Sequence, residues 1–307
     1  MYAEAFIASA CGRVMMKIKK KYQPYMYFIP AFLFMGIFLI YPLFSQFIIA
    51  FQHYQPFKSM EIYFSFVNFK KMLTDEVLWL SIKNTLIWVG FSLLFQFPLG
   101  LGVAFLLNKK IKGRSFFRTI FVVPWAISPF LIGLIFAWLY HGRVGIINDV
   151  LLKLSLIKEP IAFLADKNIA LASIIVANIW FGIPFFAVIL LAAMQSIPDE
   201  VYEAASMDGA NQVDKFFGIT VPMIKPAMVN TLLLRTIWIF NFGEIIYVMT
   251  GGGPAHHTEI LSTYIMYVAY YESNYGYAAA IAVMISIFLL GYSIFMLRLL
   301  RSGEKHG

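Results

Sequence analysis

Long apolar runs separated by short polar segments set the pattern of this chain. On a window of about twenty residues that pattern predicts six membrane-crossing segments. They cover residues 26–51, 84–107, 117–140, 169–194, 227–250 and 277–297. Each is long enough to cross a hydrocarbon layer of about 30 Å at about 1.5 Å per residue. The runs are continuous and lack two-residue alternation, so helices are expected rather than barrel strands. Pro42, Pro98, Pro124, Pro129 and Pro184 fall inside these runs. They are expected as kinks, because neighbouring helices and local waters satisfy the carbonyls that proline frees. The expected architecture is an all-α integral membrane protein, with a membrane domain over 26–300 and tails at 1–25 and 301–307.

Composition points the same way. Of 307 residues, 61% are hydrophobic and 13% charged, against about 45–50% and about 25% in soluble domains. A water-soluble fold would leave too much apolar surface exposed. The single cysteine, Cys11, excludes an internal disulfide framework and a cysteine metal cluster. The histidines (His53, His141, His256, His257 and His306) fall in outer loops or the tail, and the adjacent pair has poor metal spacing. No metal site is expected.

The net charge of +8 raises nucleic acid as a partner, but its distribution argues for topology instead. Fifteen basic residues fall on one side: Arg13, Lys17, Lys19, Lys20, Lys21, Lys109, Lys110, Lys112, Arg114, Arg118, Lys215, Lys225, Arg298, Arg301 and Lys305. Eight fall on the other, over longer loops: Lys58, Lys70, Lys71, Lys83, Arg143, Lys153, Lys158 and Lys167. The positive-inside rule makes the first side cytoplasmic, with both termini there. Ala8-Ser9-Ala10-Cys11 resembles a lipoprotein cleavage site, but no basic region or long apolar region precedes it. Met15 or Met16 could equally be the natural start.

A polar, glycine-punctuated island at 196–226 sits between the fourth and fifth runs. Ser196 with Asp199 has capping-box spacing, and Pro198 suits a first helical turn. Val201, Ala204 and Ala205 continue at helical spacing from Ile197. Gly209 is placed to end that helix in a left-handed conformation. Asn211 with Asp214 can start a second short helix through Phe216 and Ile219, which Pro222 and Pro226 then close. Small Ala204 and Ala205 allow another surface to approach, and Glu203 and Asp208 offer carboxylates to a partner's basic groups. A merely solvated, well-capped connector is the plainer alternative.

In its spacing the island resembles the cytoplasmic loop of ATP-binding-cassette (ABC) importer permeases: Glu-Ala-Ala, three residues, Gly, nine residues, Ile, one residue, Leu-Pro. Here the residues are Glu203-Ala204-Ala205, Gly209, Ile219 and Val221-Pro222, with valine as the one departure. Further motifs are similar to the carbohydrate branch, the maltose and glycerol-phosphate type. They are Phe66-Val67-Asn68-Phe69, Asn84-Thr85-Leu86, Gly113-Arg114 with Phe117-Arg118, Pro124-Trp125, Gly145-Ile146-Ile147-Asn148, and Thr250-Gly251-Gly252-Gly253-Pro254 with Thr258. The match covers most of residues 62–300.

The resemblance implies a type I ABC-importer permease fold in the cytoplasmic (inner) membrane, with a coupling-helix loop between helices 4 and 5. Glu203, Ala204, Ala205, Asp208, Gly209, Ala210, Phe216, Ile219 and Pro222 would form that loop. It further implies a homologous second permease, two ATPase subunits, an extracytoplasmic solute-binding protein and a sugar substrate. ATP and Mg would be used by the ATPase, and no cofactor or catalytic residue is expected here. Gly251–Gly253 lacks the lysine and helix of a phosphate loop and reads as a turn permitting positive φ.

Charges inside spans cost roughly 2.5–3.5 kcal/mol at the centre on insertion scales, so they are candidates for function. Arg235 and Glu244 qualify. If the fifth span is one helix, Asn230, Asn241 and Glu244 share a face, while Arg235, Trp238 and Phe242 share the opposite one. Trp238, Asn241 and Glu244 suit a sugar path, with Arg235 either lining it or pairing with a neighbouring helix; Gln96, Asn178 and Trp180 are secondary candidates. Two alternatives stay open. One is a related permease for glycerophosphodiester, polyamine or phosphate: Arg235 leaves the anionic solutes open, whereas a cation would call for more acids than Glu244. The other is a channel or secondary transporter, whose inverted repeats or several intramembrane charges the sequence does not show.

Overall fold

The structure is a computed structural model that describes residues 23–56, 62–109 and 112–304. Cys11, Met15, Met16 and the basic cluster before Gln23 lie outside the described residues, as do Lys58, Lys110 and the last three residues. Among the described residues the regular structure is helical, with one isolated antiparallel bridge between Gln52 and Phe64. Five helices are long and apolar enough to cross a membrane, or six if one bent pair counts as a single span.

The first span is α1 (Gln23–Met35) and α2 (Tyr41–Ala50), joined by a π-helical turn at Gly36–Ile40. Pro42 near the start of α2 has no N–H to donate, and the wider turn absorbs the missing bond. After α3 (Val67–Thr74) comes α4 (Glu76–Asn108), about 50 Å long at about 1.5 Å per residue. Its first turn is capped by Asp75, which accepts from the amides of Val77 at 3.0 Å and Leu78 at 3.1 Å. The helix starts eight residues before the apolar run at Asn84; Glu76 and Lys83 dilute the hydropathy of its first turns and hide them from a hydropathy window.

The third span departs from expectation. Instead of one kinked helix over 117–140, α5 (Arg114–Ala126) and α6 (Pro129–Leu139) meet at 93°. Pro129 pushes Ser128 out of the helical region, to ψ 146°, and the Ser128 hydroxyl then caps the new helix at the Leu131 amide. Pro124, by contrast, stays inside α5. The chain continues through α7 (Ile146–Lys153), α8 (Ala170–Gln195), α9 (Asp199–Met207) and α10 (Gln212–Lys215). A π-helical turn at Phe216–Thr220 leads into α11 (Val221–Asn241), followed by α12 (Glu244–Met249) and α13 (Leu261–Met266). A third π-helical turn at Tyr267–Tyr271 precedes α14 (Tyr275–Glu304).

The α4–α8 pair forms the most extensive interface. Glycines make it close: a Cβ on Gly100 would overlap Phe186, and one on Gly182 would overlap the Gln96 amide. Without a hydrophobic drive between helices in lipid, such close backbone approach supplies the packing attraction. One core, around Trp88, Phe136, Ile174 and Ile245, joins α4, α6, α8 and α12. A second, around Leu78, Tyr264 and Tyr277, joins α4, α13 and α14. A third, around Ala104, Phe186, Leu190 and Ile224, fastens the loop end of the bundle. Apolar side chains such as Phe28, Phe32 and Phe38 stay exposed on the first span, an arrangement stable only in an apolar medium.

Candidate functional site

The island between α8 and α11 is built by local chemistry. Gly209 has φ +84°, and the Ala210 amide donates to the Ala205 carbonyl at 2.9 Å while the Gly209 amide donates to Ser206 at 3.1 Å. These two bonds are the paired closure that a left-handed glycine gives a helix end. The Asn211 side chain accepts from the Val213 and Asp214 amides, and Asp214 accepts from the Asn211 amide, giving a complete capping box.

Two local expectations fail. Ser196 makes no capping box with Asp199; its hydroxyl donates back to the Ala193 carbonyl at 2.8 Å, and Pro198 is the residue that precedes α9. Pro222 and Pro226 do not close the loop either. The π-helical turn leaves the Phe216 carbonyl bonded to the Val221 amide, so Pro222 enters α11 at its tolerant first turn and Pro226 is carried inside.

The loop is braced from behind. The Tyr202 and Thr220 hydroxyls are 2.9 Å apart, the Phe216 ring meets the Phe105 ring of α4 edge-on at 5.1 Å, and Lys215 Nζ donates to Ser206 Oγ at 2.5 Å. What faces outward is a stripe of Glu200, Glu203, Ala204 and Met207, at the one-face spacing of a helix. Met207 is 89% exposed, and Val213 and Phe217 are also exposed. Asp208 and Gly209 are exposed, Ala205, Ala210, Phe216 and Ile219 are half-buried, and Pro222 is exposed. The apolar exposure of Met207 and Phe217 was legible only once the inward face was fixed by Tyr202 and Phe216.

Among the packed helices, Arg235 is 2% exposed. Its Nε donates to Gln96 Oε1 at 2.9 Å; Gln96 Nε2 donates to the Asn178 carbonyl at 2.7 Å, and Asn178 Nδ2 to Ser92 Oγ at 2.8 Å. The guanidinium also lies over the Phe181 and Phe185 rings, 5.8 and 5.7 Å from their centroids. Arg235 therefore ties α11 to α4 and α8. Trp238 is 44% exposed and packs on Phe185 at 5.0 Å. Phe181, Phe185 and Trp125 complete an aromatic cluster that helical spacing alone did not single out.

The shared face expected for Asn241 and Glu244 rests on a helix that is not continuous. Phe242 leaves helical geometry at ψ 75°, and Glu244 opens α12 instead. At the break the Ile239 carbonyl accepts from the Phe242 amide at 3.2 Å and from the Trp88 indole at 3.1 Å, while the Gly243 amide, its partner in a continuous helix, turns to the Asn241 carbonyl. Gly243 packs against Thr263, where a Cβ would lie 2.8 Å from Cγ2. Asn241 and Glu244 are both exposed, and the Asn241 amide turns back to the Ile237 carbonyl.

Three asparagines from the short motifs act as loop staples. Asn68 donates to the Ala50 and Gln52 carbonyls, each at 2.9 Å, and Asn148 exchanges bonds with the Ile161 backbone. Asn84 donates to the carbonyls of His257 at 3.1 Å and Glu259 at 3.0 Å, pinning the Gly251–Gly253 loop to α4. Gly251 and Gly252 adopt positive φ, as a turn there requires, and a Cβ on Gly252 would overlap the Glu259 carboxylate.

Comparison with known proteins identifies the family of the chain. Residues 96–302 match the family described as binding-protein-dependent transport system inner membrane component. The chain is 33% identical over 282 residues to the sulfoquinovosyl glycerol transport system permease protein SmoG of Agrobacterium fabrum, covering 90% of this chain and 89% of that one. It is 30% identical over 284 residues to the trehalose/maltose transport system permease protein MalF of Thermococcus litoralis, covering 92% and 95%. A chain in the crystal structure of a bacterial ABC transporter involved in the import of the acidic polysaccharide alginate superposes with a TM-score of 0.82 at 27% identity, over 94% of this chain and 99% of that one. On sequence and fold together, this chain belongs to the inner-membrane permease components of binding-protein-dependent transport systems.

Proposed function

We propose that this chain is one of two permease subunits of an ABC importer for a sugar or oligosaccharide, and that it sits in the inner membrane with both termini in the cytoplasm. The observation that carries this reading is the near-complete superposition on a chain of the alginate importer. The likeness to permeases named for sulfoquinovosyl glycerol and for trehalose and maltose supports the solute class. A related structure holds an alginate pentasaccharide-bound periplasmic protein, which supports an outer solute receptor as a partner.

In this reading the loop from Glu203 to Pro222 docks on a separate ATPase, which supplies ATP and Mg chemistry that this chain lacks. The stripe of Glu200, Glu203, Ala204 and Met207 is the docking face. Its methionine adapts to an apolar recess, and its carboxylates meet basic groups. Closure of an ATPase pair moves the loop, and the α5, α8 and α11 helices tilt with it. Trp238, Asn241 and Glu244 line the solute path, whereas Arg235 holds the bundle together behind it. With Arg235 enclosed by Gln96 and two phenylalanines, the alternative of a non-sugar anion such as phosphate loses the residue that suggested it.

The test is uptake by the reconstituted complex of this chain with its second permease, ATPase and receptor. Maltose, trehalose, sulfoquinovosyl glycerol and an alginate oligosaccharide serve as labelled probes. ATP-dependent accumulation of at least one is expected, and Gly209→Pro abolishes it while releasing the ATPase. Uptake of none, with a complex that hydrolyses ATP, overturns the sugar reading.

A further inference from the structure

An outer cavity of about 680 Å³ lies beyond the α11–α12 break, lined by Tyr247, Gly251, Glu259, Thr263, Tyr267 and Tyr271. Its volume falls in the range of about 300–1,000 Å³ typical of small-molecule sites. No residue of the loop or of the Trp238–Asn241 segment contributes to it, yet it is not remote from the path. Tyr247 follows Glu244 by three residues on α12 and therefore shares its face.

The lining has a definite chemistry. Tyr267 and Tyr271 stack 5.5 Å apart at 27°, backed by the buried Tyr264 ring, 6.2 Å from Tyr267 at 13°. The π-helical turn at Tyr267–Tyr271 spaces them this way. Tyr271 is 70% exposed, neighbouring Tyr270 71%, and Tyr247 48%. These are large flat rings with hydroxyl rims, held out at the water-facing end of a membrane protein.

Opposite them sits a carboxylate that the fold has gone to some length to install. The Glu259 side chain is 3% exposed, with Oε2 at 3.3 Å from His256 Nδ1, and it is admitted only because Gly252 carries no Cβ. A buried carboxylate is costly unless hydrogen-bond donors meet it. Stacking faces combined with an anionic acceptor suit a ligand that has both C–H faces and several hydroxyl donors.

We propose that this cavity is a receiving site for a pyranose, reached before the Trp238–Glu244 segment, with Tyr247 and Tyr271 as stacking platforms and Glu259 accepting ring hydroxyls. The inference rests on the sugar reading above and adds a site to it. A protein segment from the receptor or second permease is the competing occupant.

The experiment uses the whole reconstituted complex and, as probe, whichever sugar of the panel the wild type accumulates; a wild type that accumulates none defeats the sugar reading itself. Tyr271→Ala is expected to raise the KM for uptake about tenfold, the loss of one modest contact, while Tyr271→Phe stays near wild type because it keeps the ring. In a Cys11→Ser background, Tyr270→Cys is labelled with a membrane-impermeant maleimide. Sugar-loaded receptor is expected to slow labelling, and sugar-free receptor is not. An unchanged KM in an assembled Tyr271→Ala complex overturns the proposal. So does equal protection by sugar-free receptor, which identifies a protein occupant.

Discussion

Arg235 Nε donates to the amide oxygen of Gln96 at 2.9 Å, joining α11 to α4 in the middle of the bundle. Gln96→Leu leaves a buried cation without that acceptor, an expected loss of about 1–3 kcal/mol. Combining it with Arg235→Met should cost less than the sum of the two single changes, because the pair is coupled. Thermal unfolding of the four variants in nanodiscs measures the coupling; strict additivity would show that the bond contributes nothing.

Gly209 and Gly252 both have positive φ, but they differ in what surrounds them. Nothing lies within 4 Å of a Cβ at Gly209, so Gly209→Ala carries only the left-handed strain of about 1–2 kcal/mol. Gly209→Asn, which tolerates that conformation better, should lose less. Affinity of the purified permease pair for the ATPase is the readout, and the order glycine, asparagine, alanine is expected.

At Gly252 a new Cβ meets the Glu259 carboxylate, whereas at Gly251 the nearest atom is the Tyr247 carbonyl at 3.9 Å. Gly252→Ala should therefore reduce folded yield far more than Gly251→Ala. Equal yields from the two variants, measured by size-exclusion chromatography, would remove the argument that this glycine exists to admit Glu259.

Asp75 accepts from the Tyr264 and Tyr277 hydroxyls, each at 2.6 Å. Burial pushes its carboxyl up, but the two hydroxyls, the Leu78 amide and the charge of Lys71 outweigh that and hold it below its ordinary value. A carboxyl lowered in the folded state adds stability above its unfolded value, about 3.9, and loses it as pH falls through the folded value. Asp75→Asn should thus destabilise at neutral pH, with the gap closing below about pH 4. A gap independent of pH from 7 to 3 contradicts this.

Glu259 runs the other way. Burial raises its carboxyl, with Thr263 and His256 opposing. Its contribution to stability declines as pH rises from its unfolded value, about 4.3, through the higher folded one. Relative to wild type, Glu259→Gln should become more stable across that rise, as judged by unfolding midpoints at stepped pH.

Much of this fold was legible from the chain alone, because lipid makes hydropathy and helix the same question. The capping box at Asn211 and the turn at Gly209 were also local, since the partners lie within five residues. What escaped depends on distant residues. The break at Phe242 involves Thr263 and Trp88, and α4's first turns need Tyr264 and Tyr277 to hold Asp75. The 93° corner at Ser128 is the exception: its cause, Pro129, stood in the sequence, but Pro124 five residues earlier carries the same signal and bends nothing so sharply. The asparagines at 68, 84 and 148 were noticed as parts of motifs, whereas their task of gripping carbonyls up to 175 residues away is a tertiary fact.

Because Pro222 is absorbed by the π-helical turn, the chain from Gln212 to Asn241 is a single stiff rod of about 45 Å. In the proposed importer, a displacement imposed on the loop end of this rod reaches Trp238 without crossing a break in the helix. On the same proposal, the non-helical step at Phe242–Gly243 is where that motion would be uncoupled, so that the glycine loop keeps its grip on Asn84 while the crankshaft below it turns.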